Sequence, residues 1–160
     1  MMSNPAIIVV AYNRPASLLR LLTSIANGNY LVKKIPLHIS IDRSDVKEVG
    51  EIANDFDWEH GEKIVQISED RLGLKNHILQ CGELTESYGA IIMLEDDLLV
   101  SPNFYEYARK GLDFYSDEIK VAGISLYSYE VAESCGYPFS AIKDQSDVYF
   151  MQIASSWGQA

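Results

Sequence analysis

Ala90-Ile91-Ile92-Met93-Leu94-Glu95-Asp96-Asp97 takes an apolar run of strand length straight into three consecutive carboxylates. A short, continuous apolar run of this kind reads as a strand buried on both faces, as in a parallel sheet. Ala6-Ile7-Ile8-Val9-Val10-Ala11 has the same character and runs into Tyr12-Asn13-Arg14-Pro15. Leu37-His38-Ile39-Ser40-Ile41 alternates as a strand and closes on Asp42-Arg43, and Lys63-Ile64-Val65-Gln66-Ile67 leads into Ser68-Glu69-Asp70-Arg71. Val121 to Ser125 reads as a fifth strand, and Val148-Tyr149-Phe150-Met151 as a weaker last one.

Amphipathic stretches fill the gaps. Pro15 suits the first turn of a helix whose stripe is Leu18, Leu22 and Ile25. Ser44 or Asp45 can cap a second helix with Val46, Val49, Ala53 and Phe56 on one face. Leu74, Ile78, Cys81 and Leu84 or Thr85 mark a third, and Phe104, Ala108, Leu112 and Tyr115, behind Ser101-Pro102, a fourth. The order βαβαβαβαβ predicts an α/β fold, a mostly parallel sheet with helices on both faces.

Composition bounds the function. A chain of 160 residues, 48% of them apolar, can bury a core and suits a single domain over 1–160. No apolar run approaches the roughly 20 residues a bilayer span needs. Met1-Met2-Ser3-Asn4-Pro5 has neither the basic nor the apolar region of a signal peptide, so the expected location is cytoplasmic, with peripheral association at the inner face of the membrane allowed. A net charge of −10 argues against nucleic acid as a partner. Cys81 and Cys135 make neither a disulfide framework nor a zinc site. The pattern weakens after Ser125, and no closing element is legible near Ala160; a C-terminally truncated fragment of a longer protein is expected.

In an open α/β sheet, ligands bind outside the carboxyl ends of the strands. Three of these ends carry an arginine (Arg14, Arg43, Arg71) and the fourth carries Glu95-Asp96-Asp97. Adjacent carboxylates raise one another's pKa, and a hard divalent cation, Mn²⁺ or Mg²⁺, relieves the repulsion. Adjacent strand residues point to opposite faces, so one or two of the three are expected to meet the metal. The competing reading is a solvated acidic turn. Asp42 either holds a base or ribose or caps a turn. Arg14 either neutralises a phosphate or pairs with a rim carboxylate. Arg71 and Lys75 flank Gly73 at a helix start, where anions are favoured, but no G-x-G-x-x-G or P-loop pattern is present. His38, His60 and His77 read as structural. Tyr127, Tyr129 and Tyr137 read as packing or as a sugar-facing surface.

Taken together, Ile8 to Pro15, Ile39-Ser40-Ile41-Asp42 and Ile91 to Phe104 resemble the nucleotide-diphospho-sugar glycosyltransferases of the Rossmann-like GT-A fold. The last segment is similar to the Glu-Asp-Asp variant of the Asp-x-Asp motif in the N-acetylglucosaminyltransferase I type. The resemblance implies transfer of a hexosyl or N-acetylhexosaminyl group from a nucleotide-sugar donor, UDP-sugar favoured, to a carbohydrate or glycoconjugate acceptor. It implies Mn or Mg dependence, inversion, and a role in bacterial polysaccharide biosynthesis. It places the metal on Asp97, has Glu95 and Asp96 contact ribose or donor sugar or orient the metal site, and puts the nucleobase on Asp42, the nucleotide in the Ala11-Tyr12-Asn13-Arg14 turn, and the diphosphate near Arg71. Ala154-Ser155-Ser156-Trp157-Gly158 looks like an acceptor-side segment, and the catalytic base is expected beyond Ala160. A sugar-phosphate nucleotidyltransferase is the alternative enzyme, although Tyr12-Asn13-Arg14-Pro15 stands where its Gly-rich loop belongs. A nucleotide- or Mg-binding domain without catalysis is the non-enzymatic one.

Overall fold

The computed structural model describes residues 4–131, 135–139, 148–152 and 158–160. The elements run β1 (Ala6–Ala11), α1 (Pro15–Ala26), β2 (Leu37–Ile41), α2 (Glu48–Asp55), β3 (Lys63–Ile67), α3 (Leu74–Glu83), α4 (Thr85–Tyr88), β4 (Ile91–Glu95) and α5 (Phe104–Phe114). The four strands form one parallel sheet in the order β3-β2-β1-β4.

Alternation along the strands builds two cores. Ile7, Val9, Ala11, Leu37, Ile39, Ile41, Ile92 and Leu94 face one side, where α1, α2 and α5 bury Leu18, Leu22, Ile25, Val49, Ala53, Phe104 and Ala108 against them. Ala6, Ile8, Val10 and Met93 face the other and meet Cys81 of α3, with Ile78, Leu84 and Tyr88 at the edge. The division follows from handedness. The steps β1→β2→β3 move one way across the sheet, and the return β3→β4 moves the other way. A right-handed crossover must then put α3 on the opposite face.

The register levels the strand ends. Val10 pairs with Ser40 on one side and Glu95 on the other, and Ser40 pairs with Gln66. The amides just beyond continue the ladder: Asp42 N–H donates to the Ala11 carbonyl at 2.9 Å, Asp96 N–H to Val10 at 3.0 Å, and Ser68 N–H to Ile41 at 2.9 Å. Residues 12, 42, 68 and 96 therefore stand along one rim.

Several sequence expectations are corrected. α2 begins at Glu48, not behind a Ser44 or Asp45 cap. The Ser44 hydroxyl instead donates to the Tyr12 carbonyl at 3.2 Å and accepts the Val46 amide at 3.2 Å, and Val46 is left exposed. At the other end of α2, Lys63 Nζ donates to the carbonyls of Ala53 (3.0 Å), Asn54 (2.7 Å) and Phe56, supplying donors that the last helical turn lacks. Cys81 is buried as expected, but Leu74 is exposed and α3 buries His77 in its place.

Val121 to Ser125 is not a fifth strand, and Val148 to Met151 has no strand structure. What pairs with β4 is Gln159, antiparallel: Met93 N–H donates to Gln159 at 2.8 Å and Gln159 N–H returns to Met93 at 3.2 Å. On its far side this segment bonds to Ile124 and Leu126, with Ile124 N–H to the Ala160 carbonyl at 2.6 Å, Ala160 N–H to Ile124 at 2.9 Å and Leu126 N–H to Gly158 at 3.0 Å. Gly123 permits this approach, because a Cβ there would stand 2.7 Å from the Ala160 carbonyl oxygen. Periodicity could not reveal this pairing, since its two partners lie far apart in sequence and each is only a few residues long.

Candidate functional site

The strand order reverses at β1, so the loops after β1 and β4 part and leave a crevice between them, the topological switch point of an open α/β sheet. The β1 loop brings Tyr12, Asn13 and Arg14 to this crevice, and the β4 loop brings Asp96 and Asp97. The Asp96 carboxylate is 7% exposed and accepts the Tyr12 amide at 3.2 Å, which ties the two loops together. Asp97 turns outward. Arg14 Nη1 lies 2.5 Å from Asp97 Oδ2 and 3.7 Å from Asp96 Oδ1. Arg20, one turn into α1, donates to the Asp97 backbone carbonyl at 3.0 Å.

The electrostatics follow from that placement. Burial pushes the Glu95 carboxyl above its ordinary pKa, and Asp97 and Asp96 add to the rise while Arg14 offsets part of it. Asp96 is also raised, first by burial and also by Asp97, against the pull of the Tyr12 amide and Arg14. The Arg14 guanidinium is held charged by its bond to Asp97, with Asp96 and Asp97 contributing through space.

The other half of the rim is organised by Asp42, which is 3% exposed. Its Oδ1 accepts the amides of Arg43 (2.9 Å) and Leu72 (2.8 Å), and its Oδ2 accepts the amide of Gly73 (2.9 Å). Burial alone raises its pKa; the three amides and nearby His77 outweigh that and bring it below the ordinary value. Asp42 thus clamps the loop that opens α3. In that loop the Arg71 guanidinium stands over the Tyr12 ring, 5.0 Å from its centroid, in cation–π geometry. Arg43 Nη1 donates to the Glu69 carbonyl at 2.6 Å.

Tyr12, Arg14, Asp96 and Asp97 are thus joined by direct contacts, Arg71 reaches them through Tyr12, and Ala11 bears the β1 end of the rim. Asn13 is exposed, and Glu95 is half-buried at the last position of β4. Lys75 is exposed on the first turn of α3, and no described hydrogen bond or ion pair ties it to this cluster. The sequence did not single out Arg20, whose partner is a backbone carbonyl and leaves no side-chain pattern to read, and it marked Ser44 only as a helix cap. His38 and His77 are structural as expected: Nε2 of His38 pairs with Gln66 Oε1 at 3.1 Å, and Nε2 of His77 with Ser40 Oγ at 2.8 Å. Residues 154–157 lie outside the described residues. Of two open grooves, one of about 680 Å³ lined by Asn29, Tyr30, Leu31, Glu106 and Tyr107 shares no residue with the strand-end cluster, and the other meets it only through Arg20.

Among the described residues no group of three His, Cys, Asp or Glu side chains forms a metal cage. Mg²⁺ and ions like it commonly take one or two carboxylates and complete their shell with substrate phosphates and water. The exposed Asp97 carboxylate fits that sharing arrangement.

No family model and no curated protein sequence matches the chain. Solved structures do match in fold. A mannosyltransferase, PcManGT of Pyrobaculum calidifontis in complex with GDP-Man and Mn²⁺, aligns with a TM-score of 0.61 at 15% identity, over 81% of this chain and 37% of its own. S. aureus TarS aligns with a TM-score of 0.54 at 14% identity, over 70% of this chain and 20% of its own. The chain spans well under half the length of either. The likeness establishes the fold alone: a mostly parallel α/β sheet of the GT-A type.

Proposed function

We propose that residues 1–160 form the donor-binding domain of a metal-dependent, inverting glycosyltransferase that uses a nucleoside-diphosphate sugar, preferably a UDP-sugar. The observation that carries this reading is the meeting of Tyr12, Arg14, Asp96 and Asp97 at the β1–β4 switch point. An aromatic ring, guanidinium groups and an exposed carboxylate at one rim supply what a nucleoside diphosphate needs: a stacking surface, anion partners and a point of attachment for a cation.

In this reading Tyr12 offers its ring to the base or ribose, with Arg71 stacked behind it. Asp42 shapes the wall of the base pocket by holding the Leu72–Gly73 amides and would contact the nucleobase there. Asp96 keeps the two loops in register and Glu95 lies beside it toward the ribose and sugar. Arg14 and Lys75 supply positive charge for the diphosphate. Asp97 would hold Mn²⁺ or Mg²⁺, which, when bound, stabilises the charge developing on the departing nucleoside diphosphate. We assign the transferred group to the hexosyl or N-acetylhexosaminyl class, in a manner like the N-acetylglucosaminyltransferase I type, and the acceptor to a carbohydrate or glycoconjugate of polysaccharide biosynthesis. No described helix is long and apolar enough to cross a membrane; we place the activity in the cytoplasm, with docking at the membrane face.

Calorimetry with UDP and GDP, each in Mn²⁺, in Mg²⁺ and in EDTA, tests the reading. UDP binding that depends on the metal is expected. Failure of both nucleotides under every metal condition overturns it.

A further inference from the structure

The site described above holds a cation of its own. The Arg14 guanidinium occupies the Asp97 carboxylate at 2.5 Å and reaches toward Asp96 at 3.7 Å, so the acidic rim is already partly neutralised from within. Both partners are about half exposed, with side-chain exposures of 56% for Arg14 and 49% for Asp97. An ion pair this wet is weak and easily exchanged. The Arg14 side chain makes no capping bond to α1, so nothing in the helix commits it to this position. Asp97 is fixed by other means, since Arg20 holds its backbone carbonyl at 3.0 Å. Asp96 is buried and bonded to the Tyr12 amide, so it stays with the loop if Arg14 leaves.

We propose that Arg14 is an exchangeable internal counter-ion: it competes with a divalent cation for Asp97, and it changes partner to the diphosphate when the metal–nucleotide complex arrives. The inference rests on the donor-site reading above and adds to it a mechanism of coupling. One carboxylate oxygen cannot keep both the guanidinium and a hard cation at bonding distance. On the shared carboxylate the two cations also repel one another, so a lone metal loosens the solvent-screened Arg14 contact, whereas a metal that brings a diphosphate offers Arg14 a new anion. Metal and nucleotide then bind better together than separately, and by linkage each raises the other's affinity by the same factor.

The test uses two affinities that move in opposite directions. Bare Mn²⁺ affinity is measured by electron paramagnetic resonance, and UDP affinity at saturating Mn²⁺ by calorimetry, on the 160-residue chain. Arg14→Gln is expected to raise bare Mn²⁺ affinity roughly threefold to tenfold, because a competitor and a repelling charge are removed. It is expected to lower UDP affinity in Mn²⁺ by about tenfold, because a charge-assisted anion contact is lost. Adding Asp97→Asn to that variant is expected to abolish the gain in Mn²⁺ affinity. Arg43→Gln removes the same charge elsewhere on the rim, where Arg43 bonds a backbone carbonyl, and is expected to leave Mn²⁺ affinity within about twofold of the unmutated value.

Unchanged or weakened Mn²⁺ binding in Arg14→Gln, or no Mn²⁺ binding by either protein, overturns the exchange. An equal gain in Arg43→Gln also overturns it, because the effect is then net charge alone. Arg14→Lys keeps the charge without the planar fork and is expected to fall between. If UDP binds under no condition while Arg14→Gln still gains Mn²⁺ affinity through Asp97, the donor-site reading fails and the Arg14–Asp97 competition stands.

Discussion

Asp42 and Gly73 are bonded across the gap between β2 and α3: the Asp42 Oδ2 accepts the Gly73 amide at 2.9 Å, and Gly73 holds φ at +75° to present it. Replacing Asp42 by Ala strands three amides in a nearly closed position. The expected loss is about 1–3 kcal/mol for leaving such groups unpaired, read as a fall in urea midpoint. Because the folded pKa is depressed, the carboxylate's contribution is present above the unfolded value near 4 and is lost as pH falls through the lower folded value. The difference between Asp42→Ala and the unmutated protein is therefore expected to shrink on acidification, and a difference that grows below pH 4 would contradict the clamp.

Gly73→Ala tests the same hinge from its other side. Nothing lies within 4 Å of a Cβ built there, so the substitution meets no clash, only a backbone conformation that L-residues disfavour. The expected cost is about 1–3 kcal/mol, with weaker nucleotide binding through displaced Arg71. Gly82→Ala, which also has open space around its Cβ but no left-handed φ, is expected to be neutral or slightly stabilising.

Asp96 and Asp97 are neighbours with opposite surroundings, and their variants should separate. Asp97→Ala removes an exposed carboxylate and is expected to change stability by no more than about 0.5 kcal/mol, while metal-dependent nucleotide binding falls at least tenfold. Asp96→Ala removes the acceptor of the part-buried Tyr12 amide and is expected to lower both stability and binding. Thermal melts alongside calorimetry distinguish the two; equal melting shifts in both variants would count against the division of roles.

The polar seam beneath α3 predicts a pH response. Burial holds His77 below its ordinary pKa, with Asp42 pulling it back, and burial holds His38 below as well, with Gln66 opposing. A depressed histidine pKa means the neutral ring is the folded form. Its stabilising contribution is complete above the unfolded value near 6.5 and is lost as pH falls below it. Stability of the unmutated protein is expected to decline between pH 7.5 and 5.5, and His38→Gln with His77→Gln together should flatten that decline. A slope that persists unchanged in the double variant would place the titration elsewhere.

The sheet was readable because its strands are continuous β-branched runs and its rim residues follow them directly. The four parallel strands and their flanking helices appear where the apolar patterns stand, with β4 shifted by one residue to include Glu95. The gathering of Tyr12, Arg14 and Asp97 at one edge was implied once a parallel order was granted. Other features had no local signature. Arg20 reaches Asp97 through a backbone carbonyl, and His77 is buried where an apolar stripe pointed to Leu74. Tertiary context decides these, because a helix turned by a few tens of degrees exchanges which residue it buries.

The pairing of Gln159 with Met93 closes the outer edge of the strand that carries the acidic rim. β1, β2 and β3 are joined by successive local crossovers, β4 joins β1 from a distant part of the chain, and the outer edge of β4 is covered only where the chain returns from beyond α5. Opening of the Gly158–Ala160 segment uncovers the Met93 amide while β1 stays paired to β2. The strand that presents Asp96 and Asp97 therefore has, along one side, the exchange behaviour of a non-local contact, and opening of that segment adds a second bare edge, beside that of β3, for intermolecular strand pairing.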